Sequence, residues 1–204
     1  TALDASGAGL TVFTQSDGTS VELLAESVDA TGRASAPGGS TATADNGTAN
    51  PPTAPRVLLD GPSGNGWVLF LQDDGSGRVQ LYARRYTRAN GALAPVGPTS
   101  PTSANDPIAL TGASAGAVRS FDALLHASDG AAYIVFRQVK NTTSGAEGVF
   151  AVKCRVDGSI VGPTEFSDTS ATVEGDPRID IDDKGNALTV FNQGAPPVLC
   201  SRHS

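Results

Sequence analysis

One four-residue pattern, an aliphatic residue followed by Phe, a variable residue and Gln, occurs four times in this chain. Successive Phe residues of the pattern are separated by 57, 66 and 55 positions. The four copies are Val12–Gln15, Leu69–Gln72, Val135–Gln138 and Val190–Gln193. A motif that recurs at an interval of this length is typical of repeat architectures, so each copy is expected to mark one structural unit.

Each copy lies within a larger repeated arrangement. A short apolar strand precedes it, and a Gly-bearing turn separates the two, as in residues 56–60 and 61–66 of the second repeat. Two apolar runs joined by such a turn predict a β-hairpin. The Phe strand is apolar on both faces, which predicts that it lies inside its sheet. A second hairpin partner is predicted at residues 21–29, 79–87 and 149–156.

Three or four strands per repeat predict an all-β fold of propeller-type blades, because a ring of small sheets can cover the faces that one sheet leaves open. The 204 residues are interpreted as a single repeat domain. Its units are predicted at approximately 1–54, 55–119, 120–175 and 176–204. Residues 35–54 and 97–119, rich in Ser, Thr, Ala, Gly and Pro, are predicted to be long surface loops.

The fourth repeat reaches only 13 residues beyond Phe191 and has not reached its expected turn at Ser204. About three and a half repeats are therefore expected, fewer than the four to eight blades of common propellers. A segment of a longer protein, completion by other chains and an open array are all compatible with this count. An unfinished sheet leaves an edge strand, which invites pairing with another chain.

Two stretches resemble a known kind of repeat. DPRIDIDDKGNALTVFNQ (residues 176–193) resembles the repeat of secreted bacterial β-propeller proteins, among them sialidase-like and uncharacterised ones. LYARRYTRANGAL (residues 81–93) is similar to the end of that repeat. The resemblance implies a propeller fold and a location outside the cell or at its surface. It does not imply an activity, because proteins with such repeats are largely uncharacterised, and some propellers of this kind bind sugars or hydrolyse them.

The charge and hydropathy of the chain limit the classes of partner that it is expected to bind. A net charge of −7 argues against nucleic acid and anionic membrane surfaces, whose binding needs a surplus of Lys and Arg. No apolar run approaches the roughly 20 residues of a membrane span. The expected partners are other protein chains, which include copies of this chain, and glycans.

One predicted strand carries the first candidate for ligand binding. Tyr82, Arg84 and Tyr86 share a face by alternation and could bind a planar or anionic ligand through stacking and bidentate hydrogen bonds. The alternative is an outer strand whose Arg side chains meet neighbouring carboxylates.

The repeated glutamines are the second candidate. They could line a common rim and bind sugar hydroxyls, or they could hydrogen-bond the backbone of the adjacent hairpin. These residues are Gln15, Gln72, Gln138 and Gln193.

A cluster of acidic residues is a weak candidate for calcium. Asp180, Asp182 and Asp183 precede Gly185, as carboxylates do in calcium loops. A turn closed by Asx hydrogen bonds is the alternative.

His126 takes the position that Asp occupies in the other repeats, which favours a turn-capping role. No other cofactor is expected.

Two covalent features stay open at the level of sequence. Cys154 and Cys200 would close a loop of about 46 residues if oxidised, worth about 4 kcal/mol, or they are two free thiols. Asn46 and Asn141 begin Asn-x-Thr glycosylation acceptors.

No pattern of residues indicates a catalytic site. A phosphate-binding loop is absent, and the Glu residues are scattered. The sequence therefore favours a non-catalytic extracellular structural or binding module that takes part in a surface assembly. A lectin-like propeller and a glycoside hydrolase or sialidase-like enzyme are the alternatives.

Overall fold

A computed structural model gives the fold of this chain. It describes residues 1–35, 42–45, 47–48, 50–60, 64–89, 92–96, 108–111, 116–140, 145–168, 173–194 and 198–203. For residues 35, 42–43, 88–89, 92–96 and 199–203 it describes the backbone alone. Every regular element in these ranges is a β-strand, and every pairing between strands is antiparallel, which confirms the predicted all-β class. Within the described ranges there is no helix of a length and apolarity suited to crossing a membrane.

The chain divides into two compact units, Thr1–Leu110 and Thr111–Ser204. The first unit holds sheets 1 and 2. Sheet 1 consists of β1 (Ala2–Leu3), β2 (Gly9–Ser16), β3 (Val21–Val28), β4 (Ala34–Ser35) and β5 (Ala42–Thr43). Sheet 2 consists of β6 (Thr53–Leu59), β7 (Gly66–Asp73), β8 (Val79–Ala89), β9 (Ala92–Val96) and β10 (Ile108–Ala109).

The second unit holds sheets 3 and 4. Sheet 3 consists of β11 (Val118–Leu125), β12 (Ala132–Val139), β13 (Glu147–Cys154) and β14 (Ile160–Glu165), in that order. Sheet 4 consists of β15 (Val173–Ile181), β16 (Ala187–Gln193) and β17 (Val198–His203). Each sheet therefore carries one copy of the repeated Phe pattern.

The Phe strand lies between two neighbours in every sheet, as its apolar faces predict. β7 is the clearest case, because seven of its eight residues are buried. Phe70, Phe136 and Phe191 are all at most 3% exposed, whereas Phe13 in sheet 1 is half-buried. Burial of each of these aromatic side chains contributes about 1.5–3 kcal/mol to folding.

Each unit has its own apolar core. In the first unit, Leu10 and Leu23 of sheet 1 belong to one cluster with Val68, Phe70 and Tyr86 of sheet 2. In the second unit the apolar contacts form two clusters, each with residues from sheets 3 and 4. One contains Val135 and Ile179, and the other contains Val149, Val173 and Phe191.

Several strands differ in extent from the sequence-based prediction. The sequence predicts that the last repeat lacks the rest of its sheet, but β17 pairs with β16 from Leu188 to Gln193. Two-residue strands, β5 and β10, lie within segments predicted to be loops. β5 pairs with the part of β3 that β4 leaves uncovered. In the same way, β10 pairs with the part of β8 that β9 leaves uncovered.

Candidate ligand-binding site

The described part of the second unit contains a cavity with a volume of about 390 Å³, bounded by sheets 3 and 4. Its lining is mainly apolar and includes Ile134, Val152, Val161, Phe166 and Ile179, and its polar lining residues include Tyr133, Lys153 and Thr189. Ligand pockets in proteins have volumes of about 300–1,000 Å³ and combine an apolar wall with a few polar groups. The cavity therefore has the size and composition of a small-ligand site.

Two neighbouring strands position the polar wall of the cavity. Tyr133 of β12 and Lys153 of β13 are direct cross-strand partners. Side chains of such pairs lie on the same face of a sheet. Lys153 Nζ lies 4.4 Å from the centre of the Tyr133 ring and also donates a hydrogen bond to Tyr133 Oη. The pair thus combines a cation–π contact with a charge-assisted hydrogen bond.

The turn between β11 and β12 supplies the partner of this cation. Asp129 Oδ2 accepts a hydrogen bond from Lys153 Nζ at 3.1 Å, and Asp129 Oδ1 accepts one from the amide of Ala131 at 3.0 Å. His126 Nδ1 lies 3.0 Å from Asp129 Oδ1. His126, Asp129, Lys153 and Tyr133 thus form a continuous chain of polar contacts that ends at the cavity.

His126 also connects the turns of sheets 3 and 4. Its Nε2 lies 3.4 Å from the carbonyl oxygen of Asp183. Gly185 packs against its ring, and a Cβ at that position would lie 3.2 Å from His126 Cε1. Because Gly185 has a φ of 84°, a side chain there would be strained even without the ring. The sequence predicts a turn-capping role for His126, and the structure adds this contact with the neighbouring turn.

The hydrogen bonds among these side chains stabilise the charged forms of Asp129 and Lys153. Burial tends to raise the pKa of Asp129, but hydrogen bonds from Ala131, Lys153 and His126 outweigh it and lower the pKa to about 2. Burial tends to lower the pKa of Lys153, but the hydrogen bonds to Tyr133 and Asp129 outweigh it, so that this pKa is raised. Asp129 is therefore an anion and Lys153 a cation throughout the physiological range.

The strand predicted to bind a planar ligand lies in the core of the first unit. β8 has neighbours on both sides in sheet 2, so it is not the outer strand of the alternative interpretation. Tyr82 and Arg84 are buried, and the Tyr82 ring stacks on Phe70 with centroids 5.5 Å apart. Tyr86 is fully buried, and this burial raises its pKa to about 12. These side chains do not line the cavity of the second unit, and their role in binding stays a prediction.

Three of the four glutamines bind backbone. Gln72 Nε2 donates to the carbonyl of Asn50 at 2.8 Å, and Gln138 Nε2 donates to that of Gly116 at 2.9 Å. Gln193 Nε2 donates to the carbonyl of Asp168 at 2.9 Å, and Gln193 Oε1 accepts a hydrogen bond from the amide of Asp168 at 3.1 Å. Each of these glutamines therefore bonds to the segment that precedes the first strand of its sheet, whereas the sequence predicts a bond to the backbone of the adjacent hairpin. Gln15 is exposed. A common sugar-binding rim stays a prediction.

The acidic turn of sheet 4 has the hydrogen bonds of an Asx turn. Asp182 accepts bonds from the amides of Lys184 at 3.0 Å and Asn186 at 2.8 Å, and one from Asn186 Nδ2 at 2.7 Å. The Asn186 bond is the main cause of a lowered Asp182 pKa. Asp180 and Asp183 are exposed. The described residues include no group of three or more His, Cys, Asp or Glu side chains arranged to hold a metal.

The cysteines and glycosylation acceptors add little to the site. Cys154 carries a free thiol, and burial raises its pKa to about 12. The side chain of Cys200 lies outside the described set. Asn46 and Asn141 also lie outside the described residues, so their glycosylation stays a prediction.

Sequence reasoning missed Tyr133 and Lys153 as site residues. The signal that could have found them is the repeat itself. Tyr133 lies three positions before Phe136, and Trp67 takes the same place before Phe70. Their cross-strand partners are Lys153 and Arg85, so two repeats place an aromatic residue opposite a cation.

The fold is that of an all-β protein of propeller type, and its second unit contains a cavity of about 390 Å³. The Hadza microbial sialidase Hz136 is similar in structure, with a TM-score of 0.57 at 11% identity. A protein of unknown function from Dyadobacter fermentans has a TM-score of 0.53 at 10% identity. Each match covers 99% of this chain, but only 43% and 63% of those chains' own lengths.

A third solved structure, the endo-arabinase from Bacteroides thetaiotaomicron, gives a TM-score of 0.43 at 16% identity over 95% of this chain and 70% of its own. No family model and no curated protein matches this sequence. At these identities the likeness extends to the fold alone, which agrees with the resemblance to propeller repeats found in the sequence.

Proposed function

We propose that this chain is a non-catalytic binding module of propeller type that works outside the cell, and that the cavity of its second unit binds a small ligand. The observation that carries the proposal is the cavity of about 390 Å³. Its lining is mainly apolar, and Tyr133 and Lys153 form its one polar wall. An apolar pocket with a few convergent polar groups is the usual form of a ligand site.

The electrostatics of the wall favour binding over catalysis. A general acid or base works best when its pKa lies near the operating pH. The pKa of Asp129 is lowered to about 2 and that of Lys153 is raised, so both move away from neutrality. Their ion pair holds Lys153 in place as a fixed cation instead of preparing it to transfer a proton.

The hydrogen bonds of the polar wall suggest which chemical groups the ligand contains. An ammonium group has no acceptor, so Tyr133 Oη accepts the bond from Lys153 Nζ. The phenolic hydrogen of Tyr133 is then available to donate to a ligand. Because Asp129 offsets the charge of Lys153, the ligand does not have to be an anion. The matching ligand has an apolar body, such as an aromatic ring, and an acceptor oxygen.

Nuclear magnetic resonance titration tests this proposal with three probes. Phenyl β-galactoside carries a ring and a sugar, benzyl alcohol carries the ring and one hydroxyl, and methyl β-galactoside carries the sugar without the ring. We expect the two ring-bearing probes to bind with dissociation constants of about 1 mM, in line with the efficiency of small ligands. They should shift the resonances of Val161, Phe166 and Ile179.

Two variants locate the binding. Tyr133→Phe should weaken it about fivefold, because one hydrogen bond contributes about 1 kcal/mol. Lys153→Met should weaken it as well, whereas Lys184→Met, which removes an exposed cation from the same unit, should not. Binding of methyl β-galactoside alone would favour the lectin alternative. Hydrolysis of nitrophenyl glycosides above background, lost in a cavity variant, would replace the proposal by the enzyme alternative.

A further inference from the structure

One hydroxyl group at the cavity of the second unit has no hydrogen-bond partner among the described residues. Thr189 of β16 lines this cavity and is only 1% exposed. Its Oγ1 is buried, and no described residue forms a hydrogen bond with it. A buried hydroxyl without a partner destabilises a folded chain, because it has lost its bonds to water and gained none. The presence of this group therefore calls for a physical explanation.

The alternation of β16 directs the Thr189 side chain towards sheet 3. Thr189 alternates with Ala187 and Phe191, so these three side chains share one face of the strand. Ala187 and Phe191 are buried in the two apolar clusters that contain residues of both sheets. The cross-strand partner of Thr189 is Ile179, which also lines the cavity. Thr189 thus lies on the side of sheet 4 that bounds the cavity.

The other repeats show that this position does not require a Thr. Thr189 lies two positions before the repeated Phe, where sheets 2 and 3 have Val68 and Ile134, both fully buried. An aliphatic side chain fills such a position without an unpaired polar atom. Sheet 1 has Thr11 there, but this residue is half-buried, and its hydroxyl is hydrogen-bonded to that of Thr1 at 3.0 Å. Packing alone therefore does not account for Thr189.

We propose that the Thr189 hydroxyl is a second hydrogen-bonding group of the cavity, and that the ligand is a small aromatic molecule with two hydroxyl groups. This inference rests on the proposed function, in which Tyr133 donates to an acceptor oxygen of the ligand. Tyr133 lies on sheet 3 and Thr189 on sheet 4, so a ligand between the sheets meets a polar group on each side. Because a hydroxyl both donates and accepts, a ligand hydroxyl is a suitable partner for either group.

The state of Thr189 in the free chain determines how selective the cavity is. Since its hydroxyl is buried, it gives up no bond to water when a ligand binds. Rotation about χ1 exchanges the staggered positions of the hydroxyl and the methyl group, which allows the hydroxyl to turn towards the ligand. A ligand hydroxyl at this place gains a hydrogen bond, whereas a ligand carbon gains none. We expect a preference of about tenfold for the ligand with the second hydroxyl.

Nuclear magnetic resonance titration with three probes tests this inference. Benzyl alcohol has one hydroxyl, and its meta- and para-hydroxy derivatives carry a second one at two different places on the ring. One of the two derivatives should bind about tenfold more tightly than benzyl alcohol. Thr189→Val should abolish this preference and leave the affinity for benzyl alcohol unchanged, whereas Thr189→Ser, which keeps the hydroxyl, should retain it. The control Thr11→Val, at the same repeat position in the first unit, should preserve the preference.

Thermal unfolding gives a second, independent readout. Thr189→Val removes an unpaired hydroxyl and should raise the midpoint of thermal unfolding by about 3 °C. Thr11→Val removes a hydroxyl that is already hydrogen-bonded, so it should not raise the midpoint. A variant that is more stable and less selective is the expected result when the hydroxyl serves the ligand and not the fold.

The outcomes separate this inference from the proposed function. If none of the three probes binds in the cavity, the proposed function is wrong, and the inference falls with it. If benzyl alcohol binds but neither derivative binds more tightly, or if the preference persists in Thr189→Val, only the role of Thr189 is overturned. A lower unfolding midpoint in Thr189→Val would show that the hydroxyl already stabilises the free chain, which also overturns this role.

Discussion

Sheets 2 and 3 place an aromatic residue and a cation at the same register, with different results. Trp67 stands opposite Arg85 in sheet 2, and Tyr133 stands opposite Lys153 in sheet 3. Trp67 is 1% exposed, whereas Tyr133 is half-buried and lines an open cavity. Two of the four repeats therefore carry an aromatic residue at this register, and one of these residues lies in the core whereas the other lines a cavity.

Truncation of the two aromatic residues gives the largest expected effects. Trp67→Ala should lower the free energy of unfolding by about 4 kcal/mol, as for a fully buried aromatic side chain. Tyr133→Ala should cost only about 1–2 kcal/mol, because part of its ring is already in contact with solvent. Urea denaturation followed by far-ultraviolet circular dichroism measures both. Equal costs would mean that Tyr133 is a core residue like Trp67.

The glycine beneath His126 should give the next largest effect. Gly185→Ala places a Cβ 3.2 Å from the His126 ring at a φ of 84° and should destabilise the chain by about 2 kcal/mol. Gly18→Ala is the matched control, since Gly18 has a φ of 91° but no atom within 4 Å of such a Cβ. Its cost should be about 1 kcal/mol, from backbone strain alone. The Gly185→Ala substitution should be less destabilising in a chain that also carries His126→Ala. If the loss of unfolding free energy is the same in both backgrounds, the contact between residue 185 and the His126 ring does not contribute to it.

The ionisation of Asp129 gives the smallest and most specific effect. Its folded pKa of about 2 lies below the ordinary value of 3.8, so its contribution to stability is complete above about pH 4 and is lost as the pH falls through about 2. Lys153→Met should raise this pKa towards 3.8, because one hydrogen bond and one charge are removed. Carboxyl resonances followed against pH measure the shift. An unchanged midpoint in the variant would show that Lys153 does not hold Asp129.

Much of the fold could be predicted from the sequence because it depends on local pattern. The apolar run around Phe70 and the turns beside it specify an inner strand with two neighbours. The short strands β5 and β10 could not be predicted, since two residues carry no periodicity. Their pairing depends on which part of β3 and β8 the other outer strands leave free.

The site was less accessible to sequence reasoning for a physical reason. Tyr82, Arg84 and Tyr86 form a conspicuous cluster in the sequence, but all three are buried, and Tyr82 and Tyr86 belong to the apolar core of the first unit. Tyr133 and Lys153 are separated by 20 positions, and their contact depends on the register of β12 and β13. The cavity itself depends on packing between sheets 3 and 4, which no local pattern encodes.

One measurement tests the central claim most directly: a crystal structure of the 204-residue chain soaked with phenyl β-galactoside, with the Tyr133→Phe variant soaked in parallel. We predict that the phenyl ring lies in the cavity beside Phe166 and Ile179. An acceptor oxygen of the probe should lie within hydrogen-bond distance of Tyr133 Oη, and the variant should show reduced occupancy. An empty cavity at saturating probe, or equal occupancy in both proteins at another place, would contradict the proposed binding site.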